Sequence, residues 1–331
     1  MKVAVIGVGH LGSAHARNWN EIPGAELVGV YDVSSDRARE IAAENQCVAF
    51  EHPDQIIDAV DAVSIVTPTP EHRKSATPFL EAGKAVLVEK PLAHTLEDAH
   101  FLCSVAQENE AVLQVGHIER FNPVVRSAIH KVKDPVFIEC DRIHPFSLRS
   151  TETSVVHDLM IHDIDIVLHL IESELTEVDA HGSRVISPTE DLAHARLSFA
   201  SGATAFVKTS RVAFSRSRKV RIFGPRQYIS LDLVDRTGFQ VSLDSEYDPA
   251  DFLDTAGRLD APEGAESFLA KHLHQEPLEI SGAEPLRAEL EAFMDSAKGL
   301  RPPAVSGAQG VRAMVAAGKV LESLRDRQRA L

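Results

Sequence analysis

Up to about residue 120 the chain alternates short apolar runs with longer segments of helical period. Residues 3–6, 26–31, 62–67, 85–88 and 112–115 are apolar enough for strands buried on both faces, and 13–20, 35–44 and 70–82 carry helical spacing between them. Strands alternating with helices predict a parallel, doubly wound sheet with right-handed crossovers. Past residue 123 the pattern changes. Residues 136–143, 175–184, 194–200, 203–209, 220–223 and 228–233 read as extended, and Ser201-Gly202 has the form of a two-residue hairpin turn. An open, mostly antiparallel sheet is expected there, interrupted by one long helix over 154–171. Two further helices, 285–298 and 308–325, flank the breaker Gly299-Leu300-Arg301-Pro302-Pro303. The chain thus reads as α/β with two domains, 1–120 and 121–331, and the last helix can pack on either.

Composition narrows the function classes. A length of 331 residues exceeds one ordinary core, in keeping with two domains. A net charge of −15 argues against a general nucleic-acid binder, which needs a basic face to neutralise phosphates. Cys47, Cys103 and Cys140 lack CxxC or Cys/His ligand spacing, so neither a disulfide scaffold nor a metal is expected, and a reducing cytoplasm fits. No apolar run approaches the roughly 20 residues that span a bilayer. Residues 1–7 read as the first strand rather than as a leader.

The first candidate chemistry is a phosphate cradle. Gly7-Val8-Gly9-His10-Leu11-Gly12 has the GxGxxG spacing, follows an apolar strand and opens a helix. In that context Gly7 permits the tight turn, Gly9 lets backbone approach a pyrophosphate, and Gly12 allows close helix–strand packing. The helix N-terminus then favours the phosphate charge. Asp32 stands twenty residues beyond Gly12, where its carboxylate can take the ribose hydroxyls of NAD and repel the 2′-phosphate of NADP. Ser34, Ser35 and Arg37 lie just beyond and are the feature that would admit NADP.

Further groups cluster at strand ends, where ligands collect in open α/β sheets. Glu89-Lys90-Pro91 ends the 85–88 strand, so Glu89 and Lys90 are expected to contact the cofactor, and a cis Lys90–Pro91 bond is one way to aim the ammonium. Thr67, Pro68 and His72 follow the 62–67 strand, and Gln114 lies near the end of 112–115, so these residues are expected near the cofactor. Loop shaping by Pro68 and helix capping by His72 are the structural alternatives. In the 154–171 helix, Asp158, His162, Asp165 and His169 share one stripe of a largely apolar surface. That stripe either faces solvent or lines a cleft, and Asp158 sits one turn before His162, where a carboxylate can orient an imidazole.

In this order, the fingerprint, Glu89-Lys90-Pro91 and the Asp158-x-x-x-His162 helix resemble the Gfo/Idh/MocA family, named for glucose–fructose oxidoreductase and inositol dehydrogenase. The likeness extends through Gly202, Glu284-Pro285-Leu286 and Pro302-Pro303-Ala304-Val305-Ser306-Gly307. A narrower likeness, to the branch that contains UDP-N-acetylglucosamine 3-dehydrogenases, rests on residues 116–123, on Arg142 with Pro145-Phe146, and on His162-Asp163-Ile164-Asp165. His157, beside the matched acid, departs from the pattern. The resemblance implies a Rossmann domain followed by an α/β domain whose open sheet commonly forms a homodimer or homotetramer interface. It implies Lys90 as the catalytic lysine and Asp158 and His162 as its partners, in the oxidation of a sugar or nucleotide-sugar hydroxyl.

We assign His162 as general base oriented by Asp158, and Lys90 as donor to the reacting oxygen; the reverse, with Lys90 as base, stays open. A nucleotide sugar brings a pyrophosphate, for which arginine is suited. Arg120, Asn122, Arg142, Arg149 and Arg211 are the candidate substrate contacts. A free-sugar or inositol dehydrogenase, and a dinucleotide-sensing regulatory protein without catalysis, are the competing expectations.

Overall fold

In the computed structural model, residues 1–147, 151–244, 272–282 and 284–329 are described. The chain divides into two compact units, one of residues 1–121 with 282–319, the other of 122–281 with 320–331. The first is built on six parallel strands, Lys2–Ile6 (β1), Glu26–Tyr31 (β2), Val48–Ala49 (β3), Ala62–Ile65 (β4), Ala85–Glu89 (β5) and Leu113–Gly116 (β6). Their order, β3-β2-β1-β4-β5-β6, reverses between β1 and β4 and so makes a switch point there. Val3, Val5, Val63, Ile65, Val86 and Leu87 are all buried, the continuous apolar character of strands covered on both faces.

Helices His10–Glu21 (α1), Ser35–Asn45 (α2), Asp54–Ile57 (α3), His72–Glu81 (α4) and Leu96–Glu108 (α5) connect these strands. α1 buries His15, Ala16 and Trp19 at helical spacing. The Trp19 indole donates to Ser64 Oγ at 2.9 Å, so its polar atom is satisfied inside the core.

One helix departs from the expected partition. After Asn122-capped Pro123–Ile129 (α6) and Ile161–Leu170 (α7), the chain forms Pro285–Ala297 (α8) and Gly307–Arg329 (α9). α8 belongs to the first unit rather than the second: Leu286, Leu290, Phe293 and Met294 enter the core around Trp19, with Phe293 edge-on to the indole at 6.3 Å between centroids. Its apolar stripe is plain in the sequence, but a stripe does not name the surface that covers it.

The second unit carries an eight-stranded sheet of Phe137–Pro145 (β7), Leu175–Ser183 (β8), Leu192–Phe199 (β9), Thr204–Ala213 (β10), Ser217–Gly224 (β11), Gln227–Asp232 (β12), Thr237–Leu243 (β13) and Leu273–Pro277 (β14). The order is β14-β13-β12-β11-β7-β10-β9-β8, antiparallel except for the β7–β10 pair. Inward positions such as Ile138, Cys140, Ala205, Val207, Val220 and Ile222 are buried. The alternate positions hold a row of rings: Phe206 against Phe137 (5.4 Å), Phe137 against Phe223 (5.7 Å), Phe223 against Tyr228 (4.9 Å) and Tyr228 against Phe239 (5.8 Å). Phe206 is 45% exposed. Among the described residues no helix is long and apolar enough to cross a membrane.

Candidate functional site

The glycine turn is built as the spacing predicts. Gly7 has φ of +86°, and a Cβ there would lie 2.8 Å from both Thr67 N and Val66 O. A Cβ at Gly12 would fall 1.9 Å from Gly7 O, so only hydrogen lets α1 start this close to β1. Gly9 differs, because a Cβ there would meet nothing within 4 Å. Gly9 also caps α1 with no side-chain hydrogen bond, and no acidic residue lies in the first turn. The first helical N–H groups and the open surface of Gly9 thus fit a pyrophosphate. His10 and Leu11 are both exposed beside it.

Replacing Gly12 with Ala is expected to abolish dinucleotide binding and to lower the melting temperature. The clash is with backbone, and moving α1 away would open the Trp19 core. Titration with NAD and a thermal scan check both effects, and an unchanged affinity would mean that the turn does not form the cradle.

Asp32 follows β2, and its carboxylate accepts from Val8 N–H at 2.8 Å and Ser34 N–H at 2.9 Å. It is therefore fixed at the rim of the turn, where its charge disfavours a 2′-phosphate. Arg37, the residue that would admit one, donates Nε–H to Val8 O at 3.0 Å and pairs with Glu40 at 2.7 Å. Val33, next to Asp32, is 93% exposed, an apolar surface at the rim that sequence pattern did not single out.

Beside the switch point the loop after β4 faces the loop after β5. The His72 ring spans them, with Nε2 2.9 Å from Thr67 O and Nδ1 3.0 Å from Pro91 O. A neutral ring donates to one of these carbonyls and a protonated ring to both. Burial pushes His72 below the usual imidazole range, against the opposing pull of the Thr67 and Pro91 carbonyls. His72 thus works as a clip between the loops and is 1% exposed. Thr67 Oγ1 is buried without a hydrogen-bond partner, and Pro68 is exposed. Gln114 turns inward: its amide donates to Glu289 O at 3.5 Å and accepts from Ala304 N–H at 3.2 Å. The Lys90–Pro91 bond is cis. Glu89 is buried and Lys90 partly exposed.

In the second unit the expected helix over 154–171 opens with a π-helical turn, Val156–Met160, before α7 begins. The turn contains His157 and Asp158, and a π-helical stretch inside a helix frequently marks a functional site. It also changes the stagger that an unbroken α-helix would give Asp158 and His162. Both residues are partly exposed, His169 likewise, and Asp165 is 1% exposed.

The candidate substrate contacts fare differently. Arg142 is held in a bidentate pair, Nε to Asp163 Oδ2 at 2.8 Å and Nη2 to Asp163 Oδ1 at 2.7 Å, and is 1% exposed. Arg211 donates Nε–H to Asp191 Oδ1 at 3.0 Å and Nη2–H to Thr153 O at 2.7 Å and Glu190 O at 2.8 Å. Asn122 caps α6, accepting from Val124 N–H and donating to Leu233 O, both at 3.3 Å. Arg120 is 8% exposed. Arg149 lies outside the described residues. Spacing shows that a guanidinium is present but not that a buried carboxylate 20 or 21 residues away already holds it.

Asp191 carries a pH signature. Its Oδ2 accepts from Val185 N–H (2.8 Å), Ile186 N–H (2.6 Å) and Ser187 N–H (2.8 Å). Burial alone would raise its carboxyl, but hydrogen bonds from Ser187, Ile186 and Val185 outweigh that and hold it well below the usual carboxylate range. A depressed folded-state pKa means stability that is complete above the unfolded value and is lost as pH falls toward the folded one. Asp191→Asn is therefore expected to lower the urea midpoint at pH 7, and the gap to the parent should narrow below about pH 4. A gap independent of pH would show that the carboxylate charge is not what matters.

The parallel sheet, its switch point and the open glycine turn define an NAD-binding oxidoreductase domain. The chain belongs to the Gfo/Idh/MocA family: residues 1–117 match the oxidoreductase family with NAD-binding Rossmann fold, and residues 134–230 match the family's C-terminal domain. It is 35% identical to the UDP-N-acetylglucosamine 3-dehydrogenase of Acidithiobacillus ferrooxidans over 97% of this chain and 96% of that protein. A solved structure of an enzyme of that name and organism superposes with a TM-score of 0.87 at 34% identity, covering 98% of this chain and 97% of the other. The scyllo-inositol 2-dehydrogenase (NAD(+)) of Bacillus subtilis is 32% identical over 64% of this chain and 68% of its own length.

Proposed function

We propose that this enzyme oxidises a secondary hydroxyl of a UDP-N-acetylhexosamine, at C3, with NAD as hydride acceptor. The observation that carries the substrate class is the degree of full-length likeness: 35% identity to the A. ferrooxidans UDP-N-acetylglucosamine 3-dehydrogenase over 97% of the chain, against 26% to the myo-inositol 2-dehydrogenase of Thermotoga maritima over 98%. NAD, when bound, supplies a nicotinamide carbon that takes the hydride. The chain's own residues do the rest. Gly7, Gly9, Gly12 and Asp32 hold the dinucleotide. Lys90 donates a hydrogen bond to the reacting oxygen and stabilises developing alkoxide charge. His162 receives the hydroxyl proton, and Asp158 orients the imidazole. The substrate pyrophosphate is left to cations other than Arg142 and Arg211, whose guanidinium groups Asp163 and Asp191 already hold. The outer face of the second sheet, with its ring row and exposed Phe206, is the surface we propose for a homodimer or homotetramer. The three cysteines without disulfides fit a cytoplasmic setting.

Reduction of NAD is expected when UDP-N-acetylglucosamine is added to the protein, with the 3-keto sugar nucleotide seen by mass spectrometry. If UDP-sugars neither raise the melting temperature nor reduce NAD, while inositols or free sugars do, the substrate class is a polyol. With NAD bound and no NADH from a broad alcohol panel, the chain is a dinucleotide sensor.

A further inference from the structure

Glu89 ends β5 directly before the proposed catalytic lysine, and its carboxylate does not point to solvent: the residue is 7% exposed. It lies folded over the backbone of β6. In the parallel register Glu89 faces Gly116, and a Cβ on Gly116 would come within 2.9 Å of Glu89 Cδ and of both its carboxylate oxygens. Two donors hold the group there. The Lys90 backbone N–H donates to Oε2 at 3.2 Å, and His15 Nε2 lies 3.1 Å from Oε1. His15 comes from α1, the helix that the glycine turn opens, and is 0% exposed. Its Nδ1 is buried with no hydrogen-bond partner.

A wholly buried imidazole with one unsatisfied nitrogen is a costly way to fill space on a helix that otherwise buries Ala16 and Trp19. What it supplies is a proton on Nε2, directed at a buried carboxylate. With that donor in place Glu89 keeps its fold over Gly116, and its second oxygen pins the main chain where the Lys90 side chain begins. We propose that His15 is a positioning residue for the oxidation, acting through Glu89 on Lys90, so that the helix beneath the dinucleotide also sets the aim of the amine. The proposal rests on Lys90 donating to the reacting oxygen.

The test is a double-mutant cycle with two readouts. His15→Leu is expected to lower kcat on UDP-N-acetylglucosamine on the order of 10- to 100-fold, as a misplaced reacting group does, with KM for NAD within about twofold. In a Lys90→Met background the same change should cost nothing further, because the group it positions is gone. His15→Gln, whose amide nitrogen can occupy the Nε2 position, should recover most of the loss. The second readout needs no turnover: exchange of the Lys90 amide, followed by NMR, should speed up at least about tenfold in His15→Leu and recover in His15→Gln, with β1 amides unchanged. If His15→Leu does not fold, Gly116→Ala presses on the same carboxylate from the other side and should give the same two effects. Additive losses in the cycle, or a Lys90 amide whose protection ignores His15, overturn the proposal. Near-normal turnover of Lys90→Met alone removes Lys90 from the mechanism, and with it the claim that His15 aims a reacting amine; an exchange rate that still followed His15 would then show only a structural tie to the backbone.

Discussion

Replacing Lys90 with Met is expected to lower turnover on the order of 10²–10⁴-fold, and replacing His162 with Asn to do the same. That range corresponds to about 3–5 kcal/mol of transition-state stabilisation, the size of a lost acid, base or oxyanion donor. Neither change touches Gly7, Gly9, Gly12 or Asp32, so the dissociation constant for NAD, read by NADH fluorescence, should stay within a few-fold. The pH dependence decides which group is the base. The kcat/KM of the parent should fall on the acid side as the base becomes protonated, and that limb should vanish in the variant that lacks the base. With His162 as base, His162→Asn flattens the acid limb and Lys90→Met keeps it. With the roles reversed, the pattern reverses. A variant of near-normal turnover removes its residue from the mechanism.

What could be read in advance followed from local rules. Gly7 and Gly12 were legible because their constraints lie within one strand–turn–helix unit, and GxGxxG spacing has meaning only in that setting. The parallel sheet was legible because strands covered on both faces are continuous apolar runs. β13 does alternate Phe239, Val241 and Leu243 with Gln240 and Ser242, although it is absent from the extended segments expected above, whereas β14 gives no such signal, since 273–277 carries a single apolar side chain, Leu273, besides Pro277. The π turn at Val156–Met160 leaves no mark in the apolar periodicity of 154–171, which runs on as for a continuous helix. Pairings between distant positions were the least legible. Nothing in the sequence neighbourhood of Arg142 announces Asp163 as its partner. The His15 pairing is hidden for the same reason, as Glu89 is 74 residues away. The one local hint was a histidine three residues past Gly12, on the buried face of α1.

The Arg142–Asp163 pair bears on both stability and catalysis. Its side chains are 2% and 3% exposed, and the fork-to-fork geometry satisfies both carboxylate oxygens. Asp163 follows His162 directly, so the pair docks the start of α7 onto β7. Arg142→Met retains the bulk of the chain but strands a buried carboxylate, which costs about 3–5 kcal/mol. The urea midpoint should be followed by far-UV circular dichroism, because the sole tryptophan, Trp19, reports on the first unit only. Arg142→Met with Asp163→Leu should regain most of that stability, since two apolar groups of similar volume replace the pair without leaving a charge. Turnover should not return with it. The restored core no longer fixes the angle at which α7 presents His162, and a shift of about 1 Å there is worth on the order of 100-fold in rate. If the double variant recovered stability and rate together, the pair would be a packing element with no part in aiming His162. A single variant as stable as the parent would show that Asp163 finds water or a new donor when Arg142 is lost, which its burial on the inner face of α7 argues against.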